Sequence, residues 1–167
     1  RDGGKLDEML RKAAGRKLQA AVDLVLELDE PVVLYAYERR HANELFKRLT
    51  KTKVSAILAT GDLTADRRAK EIERWKEGAA TALVCTMDAV RESATLTRAA
   101  AMVFVDFHWL PGVMLQCEGR IDPARQPENE RRPARYYYIV VENGPDEVVA
   151  ERVVEKLGES AGVLGED

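Results

Sequence analysis

The apolar positions of this chain alternate between two periods, and the alternation outlines the fold. Residues 16–28, RKLQAAVDLVLEL, place Leu18, Ala21, Val22 and Val25 at i, i+3, i+4 and i+7, which is the spacing of an amphipathic helix. A shorter helical piece, Lys5 to Ala14, precedes it and is set apart by Gly15. Asp29-Glu30-Pro31 stops the helix, because the residue before a proline avoids the helical region. PVVLYAY (31–37) follows as a buried strand, rich in β-branched and aromatic residues. A helix over 41–50 has Ala42, Leu45, Phe46 and Leu49 on one face, and Val54 to Leu58 is the next strand. Thr60-Gly61 turns the chain. Thr64 N-caps a helix that runs to Lys76, buried through Ala69, Ile72 and Trp75, and Gly78 ends it.

Thr81–Cys85 and Met102–Val105 are the third and fourth strands, with a stretch of part loop and part short helix between them. RYYYIVV (135–141) is the fifth, with Tyr137 facing one way and Tyr136 and Tyr138 the other. Gly144-Pro145-Asp146 starts a last helix with Val148, Val149, Val153 and Leu157 on its face. Strands alternating with helices of this length predict a mainly parallel sheet covered on both faces, joined by right-handed crossovers.

One segment departs from simple patterning. MVFVDFHWLPGVMLQCEGRIDPARQ (102–126) begins as a strand and breaks at Asp106, which reads as a strand-end cap. It passes through an aromatic turn in which Trp109 is expected to pack. The segment then continues as a helix carrying Gln116 and Arg120, four apart and so on one face. Residues 126–134 read as an exposed loop. Open α/β sheets build ligand sites where strands end and helices begin.

Composition narrows the function classes. With 167 residues, 46% of them apolar and 33% charged, the chain fits one globular domain. No apolar run approaches the ~20 residues of a membrane span, and no secretory leader is recognisable. The start lacks an initiator Met and suggests a fragment. Cys85 and Cys117 read as buried free thiols, and two histidines without a Cys/His cluster give no zinc site, so no metal ligands are assigned. Net charge is −3, but arginines and lysines gather at 39–53 and 120–135.

The chemistry these residues offer is incomplete. The phosphate loop G-x-x-x-x-G-K-S/T is absent, as are G-x-G-x-x-G after a strand and an Asp-Glu pair at a strand end. No G-x-S-x-G elbow is present. Arginines suited to phosphate, a glutamine and loop threonines remain, which is the content of half a composite site.

Four segments in order resemble one family. KLQAAVDLVLELDEPVVLYAYERRHANELFKRL, ATGDLTADRRAKEIERWKEG, LVCTMDAVRESATLTRAAAMVFVDFHWLPGVMLQCEGRIDPARQ and YYYIVVENGPDEVVAERVVEK are similar to the C-terminal RecA-like lobe of superfamily 2 helicases, and within it to the Swi/Snf type of DNA helicase or translocase. The resemblance covers about Lys5 to Leu157. It implies an α/β RecA-like three-layer sandwich over 16–158, with 1–15 as an extension or connecting helix from a missing first lobe and 159–167 as a frayed tail. It further implies ATP with Mg2+ bound between two lobes, the P-loop and metal being held by the N-terminal lobe.

The family's sixth motif runs Q-x-x-x-R-x-x-R-x-G-Q. Gln116, Arg120 and Gln126 match it, which implies ATP contacts for all three, while Pro123 stands at the second Arg and Arg125 at the Gly. The catalytic arginine is then Arg120 alone, or Arg125 substitutes from two positions along, or the site is weakened. The fifth motif lacks its glycines; Ser93 stands near one such position. Its side chains Thr86, Arg91, Thr97 and Arg98, with Arg39 and Arg68 from earlier segments, are the implied contacts to the DNA backbone. The implied function is the second motor lobe of an ATP-dependent DNA helicase or translocase, with the lobe alone inactive. The alternative is a degenerate lobe serving as a DNA- or protein-binding scaffold. An intracellular setting is expected, cytoplasmic in a bacterial or phage-infected cell, with no membrane partner.

Overall fold

The computed structural model describes residues 2–90 and 95–163. Five strands, β1 (Val32–Ala36), β2 (Ala56–Ala59), β3 (Ala82–Thr86), β4 (Ala101–Phe104) and β5 (Arg135–Tyr138), form one sheet in the order β2-β3-β1-β4-β5. Every pairing is parallel. Five helices cover it: α1 (Asp2–Leu28), α2 (Arg39–Thr50), α3 (Ala65–Lys76), α4 (Pro111–Glu118) and α5 (Pro145–Val163).

The strand order determines which helix covers which face. The chain moves from β1 outward to β2, then turns back through β3 and crosses β1 to reach β4 and β5. With right-handed crossovers, reversing the direction of travel reverses the face on which the connection lies. The α2 connection therefore lies opposite α3 and α4. The core confirms this partition. Val32, Leu34 and Ala36 of β1 meet Leu18, Ala21, Val22 and Val25 of α1 and Ala42, Leu45 and Leu49 of α2. The alternate residues Val33 and Tyr35 meet Ile72 and Trp75 of α3, Met114 and Cys117 of α4 and Val153 of α5. Tyr137 packs on the first face, and Tyr136 and Tyr138 on the second. This is the expected three-layer arrangement.

Local expectations held at several ends. Thr64 accepts a hydrogen bond from the Arg67 N–H and caps α3, and Gly78 follows that helix at φ 95°, a left-handed conformation that favours glycine. Other details differ. Ala69 faces solvent, because α3 meets the sheet only through the narrower stripe of Ile72 and Trp75. On α5, Val153 is buried but Val148 is 55% exposed, and the helix runs to Val163.

Two larger corrections concern helix continuity. The piece before Gly15 and the helix after it are a single α1, because α2 braces the glycine: Arg48 Nη1 donates to the Gly15 carbonyl at 2.9 Å. At the other end of the fold α4 stops at Glu118, and Arg120 lies in a separate 3-10 turn, Gly119–Ile121. Gln116 and Arg120 thus do not share a helical face.

Arg98 closes the second layer. Its Nη1 donates to the carbonyls of Trp75 at 2.6 Å and Ala80 at 2.7 Å, and its guanidinium lies 5.0 Å from the Trp75 ring centroid. Burial lowers its pKa. Both carbonyls precede β3, so Arg98 ties the start of β4 to the end of α3.

A methyl group added at Gly15 would meet only Arg48 Nη2, at 3.8 Å, which is ordinary contact. Gly15→Ala is therefore expected to raise stability by about 0.5–1 kcal/mol, the difference in helix propensity, measured by urea denaturation.

Candidate functional site

β1 and β4 are neighbours whose outgoing connections leave in opposite directions. This is the topological switch point, where parallel sheets open a crevice at their carboxyl ends. Here side chains fill most of that crevice. Asp106, two residues beyond β4, is 7% exposed and accepts from the N–H groups of Tyr37 (3.0 Å) and Glu38 (3.3 Å). Both oxygens lie 2.9 Å from His41 Nδ1 on α2. Lys17 Nζ of α1 reaches Asp106 at 3.4 Å and Asp146 of α5 at 2.5 Å. One carboxylate thus ties α1, the β1–α2 connection and β4, and through Lys17 it reaches α5. Burial pushes its pKa up. The His41 hydrogen bond and the charges of His41 and Lys17 outweigh this, and the carboxyl is held below its usual range.

A cavity of about 250 Å³ remains beside this network, between Leu10 and Lys17 of α1, Tyr37, His41 and Asp106. Phe107 of the aromatic turn also lines it. His108 accepts the Leu110 N–H at Nδ1 (3.0 Å), meets Tyr37 edge-on and stacks against Trp109. Trp109 does not pack into the turn as expected: it is 69% exposed, with one ring face on His108.

The Gln116–Gln126 segment lies elsewhere. α4 carries the chain back along the sheet, roughly 12 Å for its eight residues. Gln116 is exposed on it. Arg120 is half-buried, its carbonyl accepts the Leu96 N–H at 2.8 Å, and its charge acts on Cys117 and Tyr35. Asp122 caps the next turn by accepting the Ala124 N–H at 2.8 Å; Pro123 opens that turn and exposed Arg125 closes it. Gln126 is buried, and its carboxamide oxygen accepts the Arg132 N–H at 2.8 Å. The 126–134 segment is thus pinned at Gln126 and at Arg132, whose Nη2 donates to the Arg98 carbonyl at 3.0 Å.

The basic and hydroxyl residues divide between the two ends of the sheet. Arg39 is paired with Asp62, Arg68 Nη1 donates to the Leu63 carbonyl at 3.1 Å, and Thr86 ends β3, so these three gather at the carboxyl end. Thr97 and Arg98 precede β4 at the amino end, with Arg98 committed to the α3 carbonyls. Arg91 and Ser93 lie outside the described residues.

Sequence reasoning missed Lys17 and His41. Lys17 had left a signal, since it falls at i, i+4, i+8 with Ala21 and Val25 on the buried face of α1. Glu118 was missed too. It is 9% exposed, its Oε1 has no partner among the described residues, and burial raises its pKa to about 7.

The family described as the helicase conserved C-terminal domain matches residues 16–122. Curated relatives include a SWI/SNF-related matrix-associated actin-dependent regulator of chromatin subfamily A-like protein 1 from Drosophila melanogaster, 22% identical over 135 residues, which are 80% of this chain and 17% of that protein. The Xenopus laevis protein of the same description is 20% identical over 151 residues, 87% of this chain and 15% of that protein. The chain therefore spans about a sixth of the length of these relatives. They are animal proteins and lend no support to a bacterial or phage source. Among solved structures, the C-terminal part of the Fun30 ATPase domain has TM-score 0.70 at 14% identity, covering 81% of this chain and 44% of that one. The E. coli DEAD-box protein SrmB bound to regulator of ribonuclease activity A (RraA) has TM-score 0.70 at 19% identity, covering 84% and 78%. These likenesses confirm the RecA-like fold. No helix among the described residues is long and apolar enough to cross a membrane.

Two pH-dependent outcomes follow. Asp106→Asn should cost about 3 kcal/mol near neutral pH, the scale for breaking a buried ion pair. The lowered folded pKa makes this contribution complete above the ordinary carboxylate range, and it is lost as pH falls through the folded value. The difference from the wild type in acid denaturation should therefore shrink below about pH 4. Glu118 has the opposite sign. Its raised pKa means that the folded state binds more protons between the ordinary range and about 7, so ionisation weakens the fold as pH rises. Glu118→Gln should raise the Tm at pH 8 relative to wild type by more than it does at pH 5, in paired thermal melts.

Proposed function

Because the chain belongs to the helicase conserved C-terminal domain family, we propose that it is the second motor lobe of an ATP-dependent DNA translocase of Swi/Snf type. ATP and Mg2+ are held in this reading by the P-loop of an N-terminal lobe, and this chain supplies the opposite wall of the cleft. The observation that carries the reading is the Leu96 N–H bond to the Arg120 carbonyl. It fastens the loop that holds Thr95 and Thr97 to the turn that holds Arg120. The fifth and sixth motif segments then form one unit and move together when the cleft closes.

Arg120 is the catalytic arginine of the proposal, placed to neutralise charge that develops on the transferred phosphoryl group. Gln116, exposed one turn earlier, and Gln126 complete the ATP contacts. Arg125, exposed two positions past Pro123, is the candidate in this reading to take over from the missing second arginine. Arg39, Arg68 and Thr86 at the carboxyl end form this lobe's share of the DNA track. Their contacts are to phosphate, so binding is insensitive to sequence and weakens with salt.

Pro123 favours a second reading, in which the lobe is a scaffold with little catalytic role. One substitution separates the two. In the full-length protein Arg120→Ala should lower DNA-stimulated ATP turnover by about 10³-fold, the scale for an arginine finger. Unchanged turnover would leave the scaffold reading. The 167-residue chain alone should not hydrolyse ATP, and DNA-stimulated hydrolysis by it would overturn the half-site account.

A further inference from the structure

Lys17 meets Asp106 just past the end of β4, so the residues of α1 before it project beyond the carboxyl end of the sheet. Under this overhang lies the cavity of about 250 Å³ beside the ion network. Its walls are mostly apolar: Leu10, Ala13 and Ala14 of α1, with Phe107 and Val141 from beyond the strand ends. An apolar cavity of about 150 Å³ already holds benzene, so this one has room for a single ring system and is too small for a nucleoside triphosphate. Leu10 and Tyr37, which line it, are 46% and 43% exposed, so the cavity is open to solvent.

Most polar groups around it are already committed. Lys17 is held by Asp106 and Asp146, and Arg40 by Glu38. Two exceptions remain, the exposed Tyr37 hydroxyl and the imidazole of His41. Asp106 is held ionised and can only accept, so His41 Nδ1, 2.9 Å from both its oxygens, carries a proton. Nε2 of the same ring has no hydrogen-bond partner among the described residues, and unlike the Tyr35 hydroxyl it is not shut off from solvent. In the neutral imidazole this nitrogen is an acceptor. With the ring neutral, Glu38, Asp106 and Asp146 against Lys17 and Arg40 leave one net negative charge around the cavity. Phosphates and carboxylates are therefore disfavoured there.

We propose that this cavity binds a small uncharged aromatic molecule of indole or phenol size, its single N–H or O–H donating to His41 Nε2 and its ring lying against Leu10, Ala14 and Phe107. Bound there, the ring joins the overhanging half of α1 to the ends of β1 and β4, beside the carboxylate that already links them. The cavity includes no residue of the Gln116–Gln126 segment, and the proposal does not rest on ATP turnover.

The test is a titration of the ¹⁵N-labelled chain at pH 8, above the ordinary imidazole range, with indole and with benzofuran, which has the same shape and no donor. Indole is expected to move the His41 Nε2 resonance and to bind about tenfold more tightly than benzofuran, the scale of one hydrogen bond. Ala14→Leu puts a larger side chain into the cavity at a helical position that suits leucine, and should weaken indole binding at least about tenfold without lowering the Tm. Ala69→Leu, at an exposed position on α3, should leave binding unchanged. A stationary His41 resonance, equal binding of indole and benzofuran, or equal effects of the two substitutions would overturn the proposal. So would adenine moving the resonance where indole does not, which would mark a nucleobase site instead. Should Ala14→Leu not fold, the comparison of indole with benzofuran on the unsubstituted chain still decides. Because no readout depends on ATP hydrolysis, failure here is distinct from failure of the Arg120 test.

Discussion

A single buried carboxylate holds the centre of this molecule together. The strand order forces the connections from β1 and β4 to diverge, and divergence leaves backbone N–H groups at the break without strand partners. Asp106 accepts two of them, from Tyr37 and Glu38, and its remaining capacity draws in His41 and Lys17. A charge at 7% exposure is tolerable only because those partners surround it. The same contacts keep it ionised, so stability and protonation state have one origin.

This arrangement explains why the polar groups of the chain are distributed as they are. In many open parallel sheets the switch-point crevice receives a ligand. Here the ion network takes up much of it, and α4 carries Gln116 and the Arg120 turn back along the sheet. The basic and polar residues singled out in the sequence consequently occupy both ends of the sheet. The carboxyl end presents Arg39, Arg68 and Thr86, and the amino end presents Thr97, Gln126 and Arg131. Arg98 stands among the latter in sequence but serves the core, where its guanidinium finds two carbonyls and an indole face.

The architecture was legible because burial on both faces of a sheet leaves continuous apolar runs, and five such runs separated by helical periods admit few folds. The helix ends were less legible. Gly15 reads locally as a break, and only Arg48 of α2, distant in sequence, shows why the helix continues. The i, i+4 spacing of Gln116 and Arg120 presupposed a helix that ends at Glu118. The Asp106 network was invisible for the same reason, since its partners lie 65 to 89 positions away and no local pattern encodes them. The motif residues themselves were found through resemblance. Their geometry required the fold, and above all the turn at Pro123 that replaces a helical continuation.

The unbroken α1 has a mechanical consequence. Its 27 residues make a rod about 40 Å long, fastened to the sheet by its second half and by Lys17. Its amino-terminal portion, from Asp2 to Lys17, spans about 22 Å, so a tilt of about 10° about Lys17 would displace its tip by about 4 Å. The fulcrum is the ion pair between Lys17 and Asp106. Torque applied at the amino-terminal tip is thus delivered to the carboxylate that joins β1 and β4, rather than dissipated at a hinge where Gly15 stands.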